Sequence, residues 1–470
     1  MQLKISPGMI TPLIIATALF MENMDATVIS TSLPAIAADL HIDPISLKLA
    51  LTSYLVSLAV FIPVSGWMAD RHGARRVFRS AIVTFVLGSI LCALSNTLVG
   101  FVLARFVQGM GGAMMVPVGR LVIVRTTHKA DLVRALSYLT IPALLGPVIG
   151  PPLGGFITTY FHWRWIFFIN IPIGVLGFAL AGRFIENLRD AQVAPLDSTG
   201  FILTGLGLSM LMLGLATEGK HMLSTQVSLG IAVTGALLLW GYRLHYRRVR
   251  HPLLDLSLLR VPTFHASVVG GFIFRVGLGA TPFLLPLMLQ LGFGLSPFAS
   301  GLLTCSTAVG SIFMKTIVTR ILERFGFRRV LIFNSALASL SIAAYGCFTA
   351  YTPHIVMLLV FLTGGCLRSL QFTSLNAIAF ADIEIERMSH ATSLSSVGQQ
   401  LSAGFGVTVG AFALQGIGWL RGHEILIGSD FALAFVFMGA LALCSGLLFI
   451  PLDQASGSQL ASRKRSPAPL

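Results

Sequence analysis

Long apolar runs separated by short polar segments set the pattern of this chain. An α-helix needs roughly 20 apolar residues to cross about 30 Å of hydrocarbon. Fourteen runs meet that length, at about 11–32, 49–69, 77–96, 98–118, 135–158, 165–184, 199–217, 225–242, 265–289, 298–319, 330–350, 354–378, 394–415 and 431–450. The seventh, eighth and thirteenth carry the weakest signal. The gaps are short, as they should be where the backbone has to satisfy itself inside helices. The pattern predicts an all-α integral membrane protein with fourteen transmembrane helices in a 6+2+6 arrangement. One six-helix bundle is expected over 1–190 and a two-helix insert with its cytoplasmic linker over 191–264. A second six-helix bundle follows over 265–452, then a polar tail, expected to be disordered, over 453–470.

Composition agrees with a bilayer rather than with water as the solvent. Of 470 residues, 55% are hydrophobic and 11% charged, and the mean hydropathy is +0.84. Soluble domains carry about 25% charged residues. A net charge of +14 could point to nucleic acid, but the basic residues sit in short loops between apolar runs, so no nucleic-acid partner is expected. The cysteines at 92, 305, 347, 366 and 444 fall within the apolar runs without CxxC spacing. They read as small packing residues, and neither a disulfide framework nor a metal site is expected. The first run is not a cleaved signal, because Glu22 and Asp25 would stand in its apolar core.

The charges orient the spans. With the N-terminus inside and fourteen crossings, the inside segments hold 24 of the 32 Lys and Arg residues. The outside segments hold 4 (Lys48, Arg164, Lys220 and Arg421), and 4 lie within spans. That asymmetry follows the positive-inside rule and places both termini in the cytoplasm.

A repeat runs through the two halves. The segment after the second span reads Gly66-Trp-Met-Ala-Asp70-Arg71-His-Gly73-Ala-Arg75-Arg76, and that after the tenth reads Thr319-Arg-Ile-Leu-Glu323-Arg324-Phe-Gly326-Phe-Arg328-Arg329. Acid, base, glycine and paired arginines recur at one spacing, as in transporters built from structural repeats. Three further motifs stand beside it: Asp25-Ala-Thr27 through Leu33-Pro34, Arg105-Phe-Val-Gln108-Gly109-Met-Gly111-Gly112, and Gly146-Pro147-Val-Ile-Gly150-Pro151-Pro152-Leu-Gly154-Gly155. With Trp163-Arg164-Trp165 through Gly174, they cover nearly the whole chain. On these residues the sequence resembles the major facilitator superfamily. The likeness is to its fourteen-helix drug:proton antiporter branch, and within that to bacterial multidrug-resistance proteins of the Mdt type. The resemblance implies an efflux transporter of the bacterial inner membrane, acting as a monomer. It gives the loop Gly66, Asp70, Arg71, Gly73, Arg75 and Arg76 a gating role. It ties the bent fifth helix, with Gly146, Pro147, Gly150, Pro151, Gly154 and Gly155, to antiport by sealing against leak.

The residues themselves add chemistry. Glycines 66 and 73 permit tight turns and close approach. Asp70 can cap the next helix or pair with an arginine across the bundle interface. Charges within spans are costly and by default functional. Glu22 and Asp25 share one helix face. Asp25 and Arg105 lie at similar depth, roughly 10–12 Å inside the outer boundary at 1.5 Å per residue. Asp25 is the expected proton carrier, with Glu22 assisting and Arg105 as its partner; a permanent structural pair is the alternative. The second bundle carries Arg275, Arg368 and Lys315 within spans and no acid. Such cations suit an anionic substrate, with Arg275 and Arg368 able to bind a carboxylate bidentately and Gln371, Gln399 and Gln400 adding neutral hydrogen bonds. Lys315 could instead snorkel to the interface.

The expected function is proton-coupled export of a small organic solute, with an anionic metabolite or chelate favoured by the arginines. Two alternatives remain: a multidrug pump for amphipathic cations, and a facilitator, importer or sensor on the same fold. No enzyme is expected, because no nucleophile–base set is present and Gly109–Gly112 lies inside an apolar helix. No cofactor beyond a proton gradient is called for.

Overall fold

The computed structural model describes residues 7–127, 132–190, 193–218, 223–384, 387–422, 427–453 and 457. The described residues form helices and connecting turns, with no strand among them. The first six spans are α1 (Pro7–Asp39), α2 (Lys48–His72), α3 (Ala74–Leu94), α4 (Leu98–Thr126), α5 (Leu132–Tyr160) and α6 (Trp165–Phe184). Two more follow, α7 (Ser198–Thr217) and α8 (Thr225–His245). The last six are α9 (Pro262–Gly292), α10 (Pro297–Phe325), α11 (Phe327–Tyr345), α12 (His354–Ala379), α13 (Met388–Arg421) and α14 (Gly428–Phe449). Thirteen of these are long and apolar enough to cross a membrane on their described residues, and α5 is a fourteenth helix of 29 residues.

Local chemistry fixes the ends. Thr97 caps α4 by accepting from the Gly100 N–H, Ser296 caps α10 ahead of Pro297, and Asp197 caps α7 through Gly200, each satisfying a first-turn donor that has no helical partner. Both repeat loops stop their helix on a glycine with positive φ, Gly73 at +96° and Gly326 at +76°, a conformation that side chains with a Cβ resist. Several helices overrun their apolar stretch. Helix α1 continues through Pro34 to Asp39, and α10 continues through Arg320, Glu323 and Arg324 to Phe325. Helix α9 is irregular, with π-helical turns at Ala266–Gly270 and Met288–Gly292 and a proline at 286. Such turns are rare and often mark functional segments.

The halves pack alike. In the first, α1 lies on α5, α2 on α4, and α3 on α4 and α6; in the second, α9 lies on α13, α10 on α12, and α11 on α12 and α14. Helices α7 and α8 pair with each other, and α7 rests on α2. The halves meet along α5–α10 and α2–α13. Glycines make the first seam possible. Gly155 abuts Pro297 and Phe298, and Gly301 abuts Pro151. The hydrogen bonds and ring contacts at this junction lie at the end opposite Pro7 and Phe449, the end that the charge pattern makes the expected outer one: Gln290 Nε2 donates to the Thr31 carbonyl at 2.9 Å, the Phe298 N–H donates to Thr159 Oγ1 at 3.1 Å, and Lys48 Nζ sits 4.5 Å from the Phe412 ring centre. The arrangement is closed at that end.

The tail expected to be disordered falls outside the described residues beyond Asp453, apart from Gly457. Lys4, Lys129, Lys220 and the basic residues 463–465 also lie outside them.

Candidate functional site

Asp25 is the centre of a buried polar cluster drawn from five helices. Arg105 Nη1 donates to its Oδ2 at 2.7 Å, while Gln108 Nε2 and Asn170 Nδ2 donate to its Oδ1 at 2.9 and 2.7 Å. The same arginine nitrogen also donates to Gln108 Oε1 at 2.6 Å. Ser89 Oγ accepts from Gln108 and Asn170 and donates to the Phe167 carbonyl. The ring of Tyr54 lies beneath the guanidinium, with 4.3 Å from its centre to Cζ. The glycines of α3 and α4 create this proximity: a Cβ on Gly88 would lie 2.7 Å from that of Gln108, and one on Gly109 would lie 2.7 Å from the Tyr54 carbonyl. A buried charge pair is stable only when its remaining donors and acceptors are also met, and this cluster leaves Arg105 Nε and Asn170 Oδ1 without a partner.

Asp25 and Arg105 therefore meet, as their common depth suggests. Glu22 does not join them. Its Oε2 is buried without a hydrogen-bond partner, as is the Tyr54 hydroxyl. Both groups converge on Gly112, where a Cβ would lie 3.1 Å from the hydroxyl and 3.7 Å from the Glu22 carboxyl carbon. Sequence reasoning assigned no role to Ser89, Gln108, Asn170 or Tyr54. The available signal was the amides of Gln108 and Asn170 inside apolar helices, with Gln108 one helical turn from Arg105.

In the second bundle two of the three cations come together. Arg275 and Arg368 place their guanidinium carbons 5.3 and 5.5 Å from the centre of one ring, that of Phe372. Arg275 is 4% exposed, and its Nη2 donates to Asn376 Oδ1 at 3.3 Å. Asn376 is itself exposed. No ion pair to either arginine is found among the described residues. Lys315 stands on an exposed face of α10. Gln371 is fully buried, accepting from Asn334 and donating to the Leu331 carbonyl, so it ties α11 to α12 instead of facing the arginines. Gln399 and Gln400 are half-buried on α13, with Gln399 donating to Ser395.

The loop after α2 is held inside its own bundle. Asp70 pairs with Arg125 of α4 at 3.0 Å, and Arg125 also grips Asp190 with both nitrogens. The Ala74 N–H donates to the Leu188 carbonyl, and a Cβ on Gly73 would collide with Asn187. The expectation of an Asp70 pair across the bundle interface is not met in this conformation, because Arg125 stands nearer on the same bundle. Nothing lies within 4 Å of where a Gly66 Cβ would sit, so close packing does not require glycine there in this arrangement. On α5, Gly146, Gly150 and Gly154 form one face and receive Asn23, Thr27 and Val28 of α1, while Pro151 and Gly155 face α10. The fifth-helix motif thus serves two seams at once. Proline bends and small residues allow that closeness.

Helices of this length and apolarity around buried charges define a polytopic membrane transport protein. The family model described as Major Facilitator Superfamily matches residues 15–259 and 267–470, and the chain belongs to that superfamily. Proteins described as "Putative multidrug resistance protein MdtD" from Salmonella heidelberg and Salmonella typhimurium are each 37% identical over 466 residues, covering 96% of this chain and 97% of theirs. A solved D-xylose-proton symporter superposes with a TM-score of 0.69 at 15% identity, covering 95% of this chain and 98% of its own. A POT family transporter in complex with 5-aminolevulinic acid gives 0.70 at 15% identity, covering 97% and 96%. At such identity these structures show the shared fold.

Proposed function

We propose that this protein is a proton-driven antiporter that exports a small organic solute across a bacterial cytoplasmic membrane, with both termini inside. The observation that carries the reading is the buried Asp25 cluster. Each carboxylate oxygen accepts from nitrogen donors that have no lone pair to offer in return. A proton on Oδ1 would turn an acceptor of two bonds into a donor facing donors, and one on Oδ2 would remove the charge that holds Arg105, so proton uptake loosens the Arg105–Gln108–Asn170 arrangement. The cluster spans α1, α3, α4 and α6, with Tyr54 of α2 against it, so that rearrangement involves most of the bundle. Protonation is thereby linked to conformation, as coupling requires. The 24-to-4 distribution of basic residues supports the orientation.

On the solute, Arg275 and Arg368 around Phe372 favour an anionic group, since no acid among the described residues pairs with either. A pump for cationic drugs is the second reading. It draws on the multidrug-resistance description of the relatives and on Glu22, whose carboxylate could meet a cation. The test uses everted vesicles holding an acid-inside gradient. A transported solute should dissipate the gradient with the wild type and leave it intact with Asp25→Asn. Uptake of solute that leaves the gradient untouched would show a facilitator.

A further inference from the structure

The two halves share a numerical register beyond the loop motif. Pro44 and Pro297, Gly73 and Gly326, and the first residues of α3 and α11, Ala74 and Phe327, are each 253 residues apart. The outer end of α1 at Asp39 and that of α9 at Gly292 keep the same offset. Glu22 and Arg275 are also 253 apart. They occupy the same position on the first helix of each half and carry opposite charges. On the fourth helix of each half, Arg105 and Gln108 match Arg368 and Gln371 at an offset of 263. The counterpart of Asp25 at the first offset is Leu278. The second half therefore keeps the arginine of the buried pair and replaces its acid with a hydrocarbon.

Glu22 and Arg275 share another property. Glu22 Oε2 and Arg275 Nε are both buried without a partner, and neither residue is in an ion pair among the described residues. Helices α1 and α9 touch on the outer side of both residues, at Thr281–Leu287 and through Gln290 and Thr31. Two opposite charges thus stand at matched positions in the two halves, inward of the closed seam, without neutralising each other.

Resting on the antiport reading above, we propose that the transported solute is dipolar. Its cationic or N–H-donating group would lie against Glu22 and the Tyr54 hydroxyl, which converge beside Gly112 and Leu58. Its carboxylate or similar anion would lie against Arg275 and Arg368 over Phe372, taking the part for Arg368 that Asp25 plays for Arg105. A cation alone leaves two arginines unmatched, and an anion alone leaves the Glu22 carboxylate without a partner unless it takes a proton. The cationic end of the solute competes with that proton and returns it to the cytoplasm as the solute enters, so Glu22 assists the coupling at Asp25. The charged and titratable groups near Glu22 are Asp25 on its own helix, Tyr54 of α2 and Arg120 of α4.

The probes are straight-chain ω-amino acids of four to ten carbons, each with both ends free, with the amine acetylated, or with the carboxylate amidated. Binding to the purified full chain is read as thermal stabilisation, and proton release by a pH dye. At least one chain length with both ends free should bind tenfold or more tightly than either blocked form. Glu22→Gln should abolish the preference for the free amine, and Glu22→Asp should restore part of it. Arg275→Gln should abolish the preference for the free carboxylate. Equal binding of the acetylated form to the wild type, or no stabilisation by any doubly free form, overturns the proposal. Acetylated acids that bind and release protons would leave antiport standing while this inference falls. Doubly free forms that bind without proton release would uphold the dipolar site while antiport falls.

Discussion

Arg105 of α4 and Asp25 of α1 meet at 2.7 Å with side chains 1% and 2% exposed. Removing one partner leaves the other charged and buried, which in proteins generally costs about 3–5 kcal/mol. Arg105→Ala should therefore lower the thermal midpoint in detergent clearly. Asp25→Asn also strands a charge, that of Arg105, but it keeps the side-chain volume and an oxygen that can accept from the guanidinium, so its loss should be the smaller of the two. Midpoints of both variants at the wild-type value would show that the pair contributes little.

The outer closure rests on small residues at the α5–α10 seam. A Cβ on Gly155 would sit 2.8 Å from the Phe298 Cα. Gly155→Leu should wedge the seam apart and favour the conformation open to the outside. A cysteine placed at Thr159 should then be labelled by an impermeant maleimide several-fold faster than in the unwedged protein. An unchanged labelling rate would count against the seam as the outer gate.

The two repeat loops offer a matched pair of glycine substitutions. Gly73 (ψ 130°) and Gly326 (ψ 158°) both have positive φ with an extended ψ, where an L-residue costs about 1–3 kcal/mol. A Cβ on Gly73 would also strike Asn187, whereas one on Gly326 meets nothing within 4 Å. Gly73→Ala should lower the thermal midpoint more than Gly326→Ala. The reverse order would show that the first loop is not docked as described.

Ahead of α9, Asp255 accepts from Ser257 and is paired with Arg387 at 2.6 Å. Partial burial pushes this carboxyl up, but the bonds from Ser257 and Arg387 outweigh it and hold its pKa below the ordinary value. A carboxyl lowered by folding stabilises above its unfolded pKa of about 3.9 and loses that contribution as pH falls through its folded value. The wild type should therefore lose stability relative to Arg387→Ala only below about pH 4. Thermal midpoints of the two proteins between pH 3 and 7 check this.

Much of the fold is legible in the sequence because a bilayer leaves few options. Apolar runs of spanning length and a one-sided distribution of arginine suffice to count the spans. The ends are less legible. Helix α1 runs past Pro34 and α10 past Glu323 because a helix has no reason to stop at the edge of the hydrocarbon. The meeting of Asp25 and Arg105 is legible from their common depth. The donors Gln108 and Asn170 are harder to see, because an amide in an apolar helix serves equally well to join helices, as Gln371 does with Asn334. The clasp of Asp70, Arg125 and Asp190 is hidden for another reason: it joins segments 55 and 65 residues apart, and a loop arginine gives no sign of which acid it will meet.

The central claim is that Asp25 couples proton entry to solute export. The most direct measurement compares uphill transport with solute exchange in proteoliposomes containing the wild type or Asp25→Asn, with and without an imposed pH gradient. The account predicts that Asp25→Asn exchanges labelled for unlabelled solute at near wild-type rates but no longer accumulates solute against its gradient when pH is imposed. Uphill accumulation that survives in Asp25→Asn, driven by the pH gradient, would contradict it.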